Sequence, residues 1–292
     1  MKQKLSTKIL INAFFIFWTI ICIVPFILMV SISISNEADV IDYGFKLIPM
    51  HVDFTAYKVL FQNIGRMAWS ALFTIIVSCV GTFVSTVICA LMAYALSKKD
   101  FEWRGIINKI LVFTMLFSGG LIPTYILNTQ YLHLNNTVWI YLIPAISAWN
   151  VILFRTFFSQ ISPSLIESAK IDGATDSVIL TKIMVPLTKS MIMVQVFQGV
   201  VAGWNDWQKS LYYITKPELY TIQYQMQIYL NHATEIQKLV SENPSFKGSI
   251  ESIPVETLRY AMAVIATIPV LLIFPSMQKY FSKGIAVGSV KG

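Results

Sequence analysis

The sequence predicts an all-α membrane protein with six transmembrane helices, and its composition and its charge pattern carry this prediction. Only 13% of the 292 residues are charged and 55% are hydrophobic, whereas soluble domains carry about 25% charged residues. The hydrophobic residues also collect in long segments that lack Asp, Glu, Lys and Arg. These segments are 9–36, 67–97, 110–154 and 260–278.

The number of spans follows from segment length, because a helix needs roughly 20 residues to cross about 30 Å of hydrocarbon. The segment 110–154 is too long for one crossing, and its polar run NTQYLHLNN predicts a turn between two spans. Residues 190–205 are also uncharged and become a span when their flanks near Leu187 and Leu211 are included. The predicted spans are 9–34, 69–97, 107–128, 137–157, 187–211 and 259–280.

The first apolar run could instead be a cleaved signal peptide, since Lys2, Lys4 and Lys8 precede it and a small-residue SIS follows at 33–35. The apolar core of a signal peptide is about 7–15 residues long, and this run is clearly longer. We therefore interpret it as a retained span.

The basic residues predict that both termini are cytosolic, because Lys and Arg concentrate in inner loops. With this orientation, the inner segments 1–8, 97–109, 155–189 and 279–292 hold 14 of the 22 basic residues and 5 of the 15 acidic ones. The outer segments then hold the remaining 8 basic and 10 acidic residues. The net charge of +7 is therefore explained by topology, and no basic helix indicates nucleic-acid binding.

Three long loops are predicted outside the membrane. The outer loops are 36–68, with a short helix expected at 54–62, and 212–258, with a helix expected at 219–240. The inner loop is 158–186 and contains the polar stretch IESAKIDGATDSVILTKIMVPL. We treat residues 1–292 as a single transmembrane domain.

The inner loop has the sequence of two short helices joined at a glycine. Ser162-Pro163 can begin a helix, since Pro suits the first helical position, and Ser164 with Glu167 has the spacing of a capping box. Gly173 can take a positive φ and end this helix. Thr175 can cap a second helix from Asp176 to about residue 184.

The same loop carries a family signature. Glu167-Ser168-Ala169, Gly173 and Ile183-Met184-Val185-Pro186 resemble the motif EAA, three residues, Gly, nine residues and Ile-x-Leu-Pro. This motif is found in the inner-membrane permease subunits of binding-protein-dependent ABC importers. Ser168 and Val185 are mild departures from it. The segments SGGLIPTY, WNVILFRTFF, IESAKIDGA, AGWNDW and KYFSKGIAVGSVKG resemble the carbohydrate-uptake branch, particularly its maltose-type and lipoprotein- or polysaccharide-associated permeases.

This resemblance implies a type I ABC importer permease fold in which the inner loop forms a coupling helix that docks on an ATPase subunit. It implies a related second permease, two ATPase subunits that bind ATP and Mg²⁺, and an extracytoplasmic solute-binding protein. In maltose-type relatives a loop before the last span reaches into the binding protein, and by position residues 243–254 would be this chain's version. The implied coupling residues are Glu167, Ser168, Ala169, Asp172, Gly173, Ala174, Ile183 and Pro186. Glu167 could serve either by ordering its own loop or by contacting the ATPase.

A candidate solute pathway follows from polar and aromatic residues inside the spans. Amide side chains are costly in hydrocarbon unless they face water or a helix partner, and amides with aromatic rings suit the hydroxyls and C–H faces of sugars. The candidates are Gln198, Trp204, Asn205, Trp207 and Gln208 in the fifth span, Trp149 and Asn150 in the fourth, and Tyr125 in the third. Trp204, Asn205 and Gln208 are expected on one helical face.

Several aromatic and glycine residues in these spans have other interpretations. Trp and Tyr gather at membrane interfaces regardless of function, and we expect Tyr212 and Tyr213 to be such anchors. Gly199 and Gly203 form a G-x-x-x-G pair that predicts close helix packing. Gly119-Gly120, with Pro123, predicts a kink in the third span.

The function predicted is therefore uptake of an oligosaccharide or glycan fragment by an ATP-driven importer. The alternative within this class is another small polar solute, such as an amino acid, but the spans carry few basic residues that would bind its charge. No G-x-x-x-x-G-K-[ST] loop occurs, so ATP must be hydrolysed by another subunit. The three Cys and three His residues form no metal-ligand pattern. An intramembrane enzyme would need paired acids, a His cluster or an activated Ser within the bilayer, but Asp206 stands alone near the outer edge. A scaffold would leave the inner loop unexplained.

Overall fold

The computed structural model describes residues 5–62, 64–143, 146–242 and 254–289, and all regular structure within these ranges is helical. An isolated antiparallel bridge joins Ser35 to Val52. A helix satisfies its own backbone hydrogen bonds, which is the requirement for crossing lipid. In chain order the α-helices are α1 Leu5–Ser33, α2 Glu37–Tyr43, α3 Thr55–Phe61, α4 Ile64–Ser97, α5 Arg104–Leu116, α6 Leu121–Ile126, α7 Trp139–Leu142, α8 Ala148–Phe158, α9 Pro163–Ile171, α10 Asp176–Val178, α11 Val185–Leu187, α12 Lys189–Trp204, α13 Gln208–Tyr213, α14 Ile222–Glu242 and α15 Val255–Ser289.

Three of the described helices are long and apolar enough to cross a membrane unbroken. They are Thr7–Ser33 of α1, all of α4, and Val255–Gln278 of α15. These ranges coincide with the first, second and sixth predicted spans. The helices expected at 54–62 and 219–240 are confirmed as α3 and α14.

Two further candidate spans are bent pairs. Helix α5 is followed by a helical segment from Leu121 to Tyr131 at an angle of 116°. The break includes Gly120, whose φ of 83° is accessible mainly to glycine, so the predicted kink is confirmed. The second pair joins Asp176–Leu187 to α12 at 82°.

The fourth predicted span is interrupted in the structure. Residues 137–157 were expected to form one helix, but α7 ends at Leu142 and α8 begins at Ala148. The sequence places Pro144 between them, and a proline lacks an N–H donor and disfavours helical backbone in the residue before it. Ile143 is accordingly extended, with φ −71° and ψ 105°.

The fifth predicted span also ends early. Helix α12 stops at Trp204, seven residues before the predicted end at 211, and the chain continues into the separate helix α13. The carboxylate of Asp206 accepts the backbone N–H of Lys209 at 3.1 Å at the start of α13. A polar residue that satisfies backbone donors favours the start of a new helix.

The chain divides into two compact units, the first from residues 1–67 and 225–270 and the second from 68–224 and 271–292. In the first unit, the Glu37 carboxylate accepts the backbone N–H groups of Glu256 and Thr257 at 2.8 and 2.9 Å. It also accepts the Thr257 hydroxyl at 2.8 Å. Glu37 thereby satisfies donors that the first turn of α15 leaves open.

The segment that leads into α3 in the first unit is also ordered by a carboxylate. Asp53 accepts the backbone N–H of Thr55 at 2.9 Å and its hydroxyl at 2.6 Å, at the start of α3. These hydrogen bonds, led by the one from the Thr55 side chain, lower the pKa of Asp53 below its usual 3.8.

The second unit contains two apolar cores. One core joins the last turns of α4 to α8 and to the residues after α10, and its buried members include Ala93, Phe154, Phe158, Ile179 and Met184. The other core joins α4 to α7 and α13, and its buried members include Phe73, Tyr141 and Tyr213.

Candidate functional site

Helix α9, the first half of the coupling segment, has the predicted boundaries. Pro163 occupies its first turn, and the helix ends at Ile171. Gly173 has φ 79° and donates its N–H to the Lys170 carbonyl at 3.0 Å, while Ala174 donates to the Ala169 carbonyl at 2.9 Å. This pair of bonds is a Schellman motif, so the predicted role of Gly173 in ending the helix is confirmed.

The predicted capping box is wrong. The residue that caps α9 is Ser162, without a side-chain hydrogen bond to the helix backbone, and its hydroxyl instead lies 2.7 Å from the Ser164 hydroxyl. Thr175 likewise precedes α10 without capping it through its side chain. Glu167 is exposed and makes no hydrogen bond or ion pair within the residues that the structure describes, so its carboxylate is available to a partner.

The coupling segment is exposed in its first half and buried in its second half. No residue of α9 is buried, and Ile171 is 86% exposed. After α10 the chain forms a π-helical turn, Ile179–Met184, whose Ile179 and Met184 are nearly inaccessible to solvent. They pack with the ends of α4 and α8, so α9 projects from an anchored base.

The implied coupling residues divide in the same way. Glu167, Ser168, Asp172, Gly173 and Pro186 are exposed. Ala169, Ala174 and Ile183 are half-buried and pack at the edge of the core that contains Phe154 and Met184. The first group is therefore accessible from solvent, while the second group holds the segment against the core.

A polar cluster that sequence reasoning missed joins the base of this segment to α4. The Tyr94 hydroxyl donates to the Asp176 carboxylate at 2.9 Å. The Lys98 ammonium lies 2.6 Å from the other oxygen of Asp176 and 4.7 Å from the centre of the Tyr94 ring. Tyr94 lies in the last turn of α4 and Lys98 directly follows the helix. Asp176 is 82 residues from Tyr94, and no local pattern in the sequence indicates this pairing.

The pathway candidates near the C-terminal end of α12 lie on different elements. Trp204 is buried in the last turn of α12, whereas Asn205, Trp207 and Gln208 are exposed beyond it. Gln198 is exposed on α12 itself. Because α12 ends at Trp204, the expected single helical face for Trp204, Asn205 and Gln208 does not form.

Asn205 is held in place by its neighbours. Its amide N–H donates to the Val201 carbonyl at 2.9 Å, and its amide oxygen accepts from the Gln223 side chain at 3.3 Å. The exposed amide of Asn205 and the half-buried Gln223 lie side by side, and their amides can bind hydroxyl groups. Gln223 was not among the sequence-based candidates.

The other pathway candidates lie on α6 and α8. Tyr125 stacks on Tyr213, with ring centres 5.6 Å apart and ring planes 18° from parallel. Tyr213 is only 7% exposed and its hydroxyl accepts the Asn128 side chain at 3.1 Å, so the expectation that Tyr213 is an interface anchor is wrong. Trp149 is exposed and Asn150 is half-buried in the first turn of α8.

A buried polar network connects α13 and the residues that follow it to α7 and α4. The Ser210 hydroxyl lies 2.8 Å from the Tyr141 hydroxyl and 3.0 Å from the Thr221 hydroxyl. The backbone N–H of Ile222 donates to the Thr74 hydroxyl at 2.8 Å. These bonds satisfy polar groups that would be costly to bury alone, and they fix the residues around Asn205.

Helices α4 and α12 approach each other closely at two glycines. A methyl group added at Gly199 would lie 2.6 Å from the Thr82 methyl, and one added at Gly203 would lie 2.7 Å from the Ser78 hydroxyl. The predicted close packing at this G-x-x-x-G pair is therefore confirmed.

Two sequence-based expectations concern the remaining residues. Nearly all of the outer-loop segment 243–254 lies outside the described residues, which omit 243–253. Among the described residues, no three His, Cys, Asp or Glu side chains group as metal ligands.

The chain is similar to known transport proteins along most of its length. The family described as binding-protein-dependent transport system inner membrane component matches residues 106–287. The polygalacturonan/rhamnogalacturonan transport system permease protein YtcP of Bacillus subtilis is 36% identical, with both chains covered in full. Protein LplC of the same bacterium is 34% identical over 93% of this chain and 90% of its own.

A solved structure shares the fold. A bacterial ABC transporter involved in the import of the acidic polysaccharide alginate matches with a TM-score of 0.77 and 30% sequence identity. The match covers 96% of this chain and 99% of the other. In this family the permease lies in the cytoplasmic membrane, and separate subunits hydrolyse ATP. The chain therefore belongs to the binding-protein-dependent transport system inner membrane component family and is a permease subunit of an ABC importer.

Proposed function

We propose that this permease takes up an oligosaccharide or glycan fragment delivered by an extracytoplasmic solute-binding protein. The observation that carries the coupling part of this proposal is α9, an exposed helix with no buried residue on an anchored base. The exposed apolar side chains of α9 are not buried by the rest of the chain that the structure describes. A groove on a partner protein can bury them. The partner is an ATPase subunit that binds ATP and Mg²⁺.

In the proposed complex, α9 is the coupling helix. Glu167, Ser168 and Asp172 contact the ATPase, and Gly173 sets the turn between α9 and α10. Closure of two ATPase subunits around ATP moves the coupling helices of this chain and of a related second permease. The solute pathway then changes from inward-facing to outward-facing, by a shift between two global states.

The proposed topology has six crossings with both termini in the cytosol. The three unbroken helices supply three crossings, the two bent pairs supply two, and α7 with α8 supplies the sixth. The charge distribution supports this orientation, because 14 of 22 basic residues then lie inside. Helix α1 exposes large apolar side chains, such as Phe17 at 60%, which lipids and the second permease would cover.

The substrate class rests on the side chains near the outer end of α12 and on the relatives. The exposed amides of Asn205, Gln208 and Gln198 and the half-exposed ring of Trp207 suit a solute rich in hydroxyl groups. YtcP is a polygalacturonan/rhamnogalacturonan permease and the structural relative imports alginate. Trp149, Asn150, Trp204 and Tyr125 are the further residues proposed to line this pathway.

The charges near the pathway candidates indicate whether the glycan is neutral or acidic. The pathway candidates of this chain are neutral, whereas alginate is an acidic polysaccharide. Lys209, beside Gln208, is paired with Asp206 at 3.2 Å, so its charge is already compensated. This arrangement favours a neutral glycan, unless the second permease supplies the cations.

The test is uptake by cells that have or lack this chain. The panel contains labelled neutral oligosaccharides, labelled acidic oligosaccharides and a labelled amino acid. We expect uptake of at least one oligosaccharide to depend on the chain and uptake of the amino acid not to depend on it. The opposite pattern would refute the carbohydrate proposal in favour of another small polar solute.

A further inference from the structure

The cluster of Tyr94, Lys98 and Asp176 joins the start of α10, shortly after the exposed helix α9, to the end of the membrane helix α4. Asp176 is the first residue of α10, and the Schellman turn at Gly173 separates it from α9. Tyr94 lies in the last turn of α4, which ends at Ser97, and Lys98 directly follows the helix. A displacement of α9 therefore reaches Asp176 after one rigid turn.

The contacts at Asp176 are polar and directional. Asp176 uses both carboxylate oxygens, one for the Tyr94 hydroxyl at 2.9 Å and one for Lys98 at 2.6 Å. Lys98 also lies over the Tyr94 ring at 4.7 Å. Each of the three side chains therefore contacts the other two, and charge-assisted hydrogen bonds of this kind fix orientation more firmly than apolar contacts do.

These contacts add little to the stability of the fold itself. The Asp176 side chain is 58% exposed and that of Lys98 is 26% exposed, and exposed ion pairs contribute little net stability because water screens them. The apolar residues Ile179 and Met184 already hold the base of the segment in the core. A cluster that has a small effect on stability but a fixed geometry is suited to holding α10 in a defined position against the end of α4.

We propose that Tyr94, Lys98 and Asp176 form a link that transmits movement of the coupling segment to α4, so that ATP hydrolysis and solute movement stay coupled. The proposal rests on the proposed function, because it needs α9 to be the ATPase contact. Tyr94, Lys98 and Asp176 are positioning residues in it and touch neither ATP nor solute. Without the link, α9 still docks and ATP is still hydrolysed, but α4 no longer follows.

The test compares three variants in the complete transporter, reconstituted in lipid vesicles with its second permease, ATPase subunits and binding protein. Tyr94→Phe removes only a hydroxyl and keeps the ring beside Lys98. Asp176→Asn and Lys98→Met remove one charge each with little change in shape. The matched controls are Glu102→Gln and Lys99→Met, which remove the same charges from exposed neighbours of the cluster.

The measured quantity is the amount of labelled trisaccharide moved per ATP hydrolysed, with maltotriose and trigalacturonate as the two probes. We expect this ratio to fall about 3- to 10-fold in each variant, the range for disturbing one coupling contact, with assembly and ATP hydrolysis retained. The double variant Lys98→Asp with Asp176→Lys restores the ion pair and should recover part of the ratio. Both controls should match the wild type.

The outcomes separate this inference from the proposed function. If the wild type moves neither probe, the proposed function fails and the inference fails with it. If the wild type is coupled and the variants are equally coupled, the inference alone is overturned. Equal loss of assembly, hydrolysis and transport in all three variants would also overturn it, because that pattern indicates a structural role.

Discussion

The close approach of α4 and α12 gives a prediction whose size can be worked from the structure. In Gly203→Ala, the new methyl carbon would lie 2.7 Å from the Ser78 Oγ, 2.8 Å from its Cβ and 3.1 Å from its Cα. Carbon atoms pack at about 3.5–4.0 Å, and the Cα atom belongs to the backbone, so rotation of the Ser78 side chain cannot relieve the clash. The two helices must therefore separate by several tenths of an ångström.

Overpacking of this kind costs about 1–3 kcal/mol, which corresponds to a fall of about 2–10 °C in the apparent melting temperature. The assay is fluorescence-detected size-exclusion chromatography of the detergent-solubilised chain after heating. Gly105→Ala is the matched control, because a methyl group there would meet open space on a helix. It should leave the melting temperature unchanged or raise it slightly.

A second pair of variants tests which atoms of α4 the new methyl groups meet. Gly199→Ala meets only side-chain atoms of Thr82, at 2.6–3.4 Å, so Thr82→Ser should recover part of the loss, whereas Ser78→Ala should recover less of the loss at Gly203. A Gly203→Ala chain as stable as the wild type, or a Gly105→Ala chain that is equally destabilised, would refute the close packing of α4 on α12.

Four further predictions concern other parts of the molecule. Glu37→Gln leaves backbone donors of α15 poorly satisfied and should lower the free energy of unfolding by about 2 kcal/mol, measured by thermal unfolding in detergent. Tyr141→Phe removes hydrogen bonds to Ser210 and the Leu219 carbonyl and should cost about 1–2 kcal/mol in the same assay, with no loss if the network is absent. Gly173→Val has free space for its side chain but a φ of 79°, so it should abolish uptake while ATP hydrolysis continues; normal uptake would contradict the role of the turn. Because the pKa of Asp53 is lowered in the folded state, its carboxylate should stabilise the fold above pH 3.8, and this stabilisation should be lost as the pH falls through the lower folded pKa. The melting temperature of Asp53→Asn should therefore fall less on acidification than that of the wild type.

The sequence predicts those features of the fold that depend on local composition. Uncharged runs of sufficient length locate α1, α4 and α15, since exclusion of charge from lipid acts on each segment separately. The ends of α9 were predictable because Pro163 and Gly173 restrict backbone conformation locally. The kink at Gly120 was predictable for the same reason.

The sequence does not predict features that depend on contacts between distant residues. The end of α12 at Trp204 is accompanied by the Ser210, Tyr141 and Thr221 network, whose members lie on separate elements. The burial of Tyr213 follows from its stacking on Tyr125, although composition alone favours a membrane-interface position for it. The partners of Asp176 were missed because Tyr94 and Lys98 are distant in the chain.

The central claim is that α9 receives force from a separate ATPase on the cytosolic side, and site-specific labelling tests it most directly. Ile171→Cys and Ile48→Cys place a thiol on residues that are 86% and 80% exposed, in a chain whose Cys22, Cys79 and Cys89 are replaced. We expect a membrane-impermeant thiol reagent to label position 48 but not position 171 in intact cells. A photo-cross-linker attached at 171, and not at 48, should capture the ATP-hydrolysing subunit. Labelling of 171 from outside the cell, or capture of that subunit only from 48, would contradict the account.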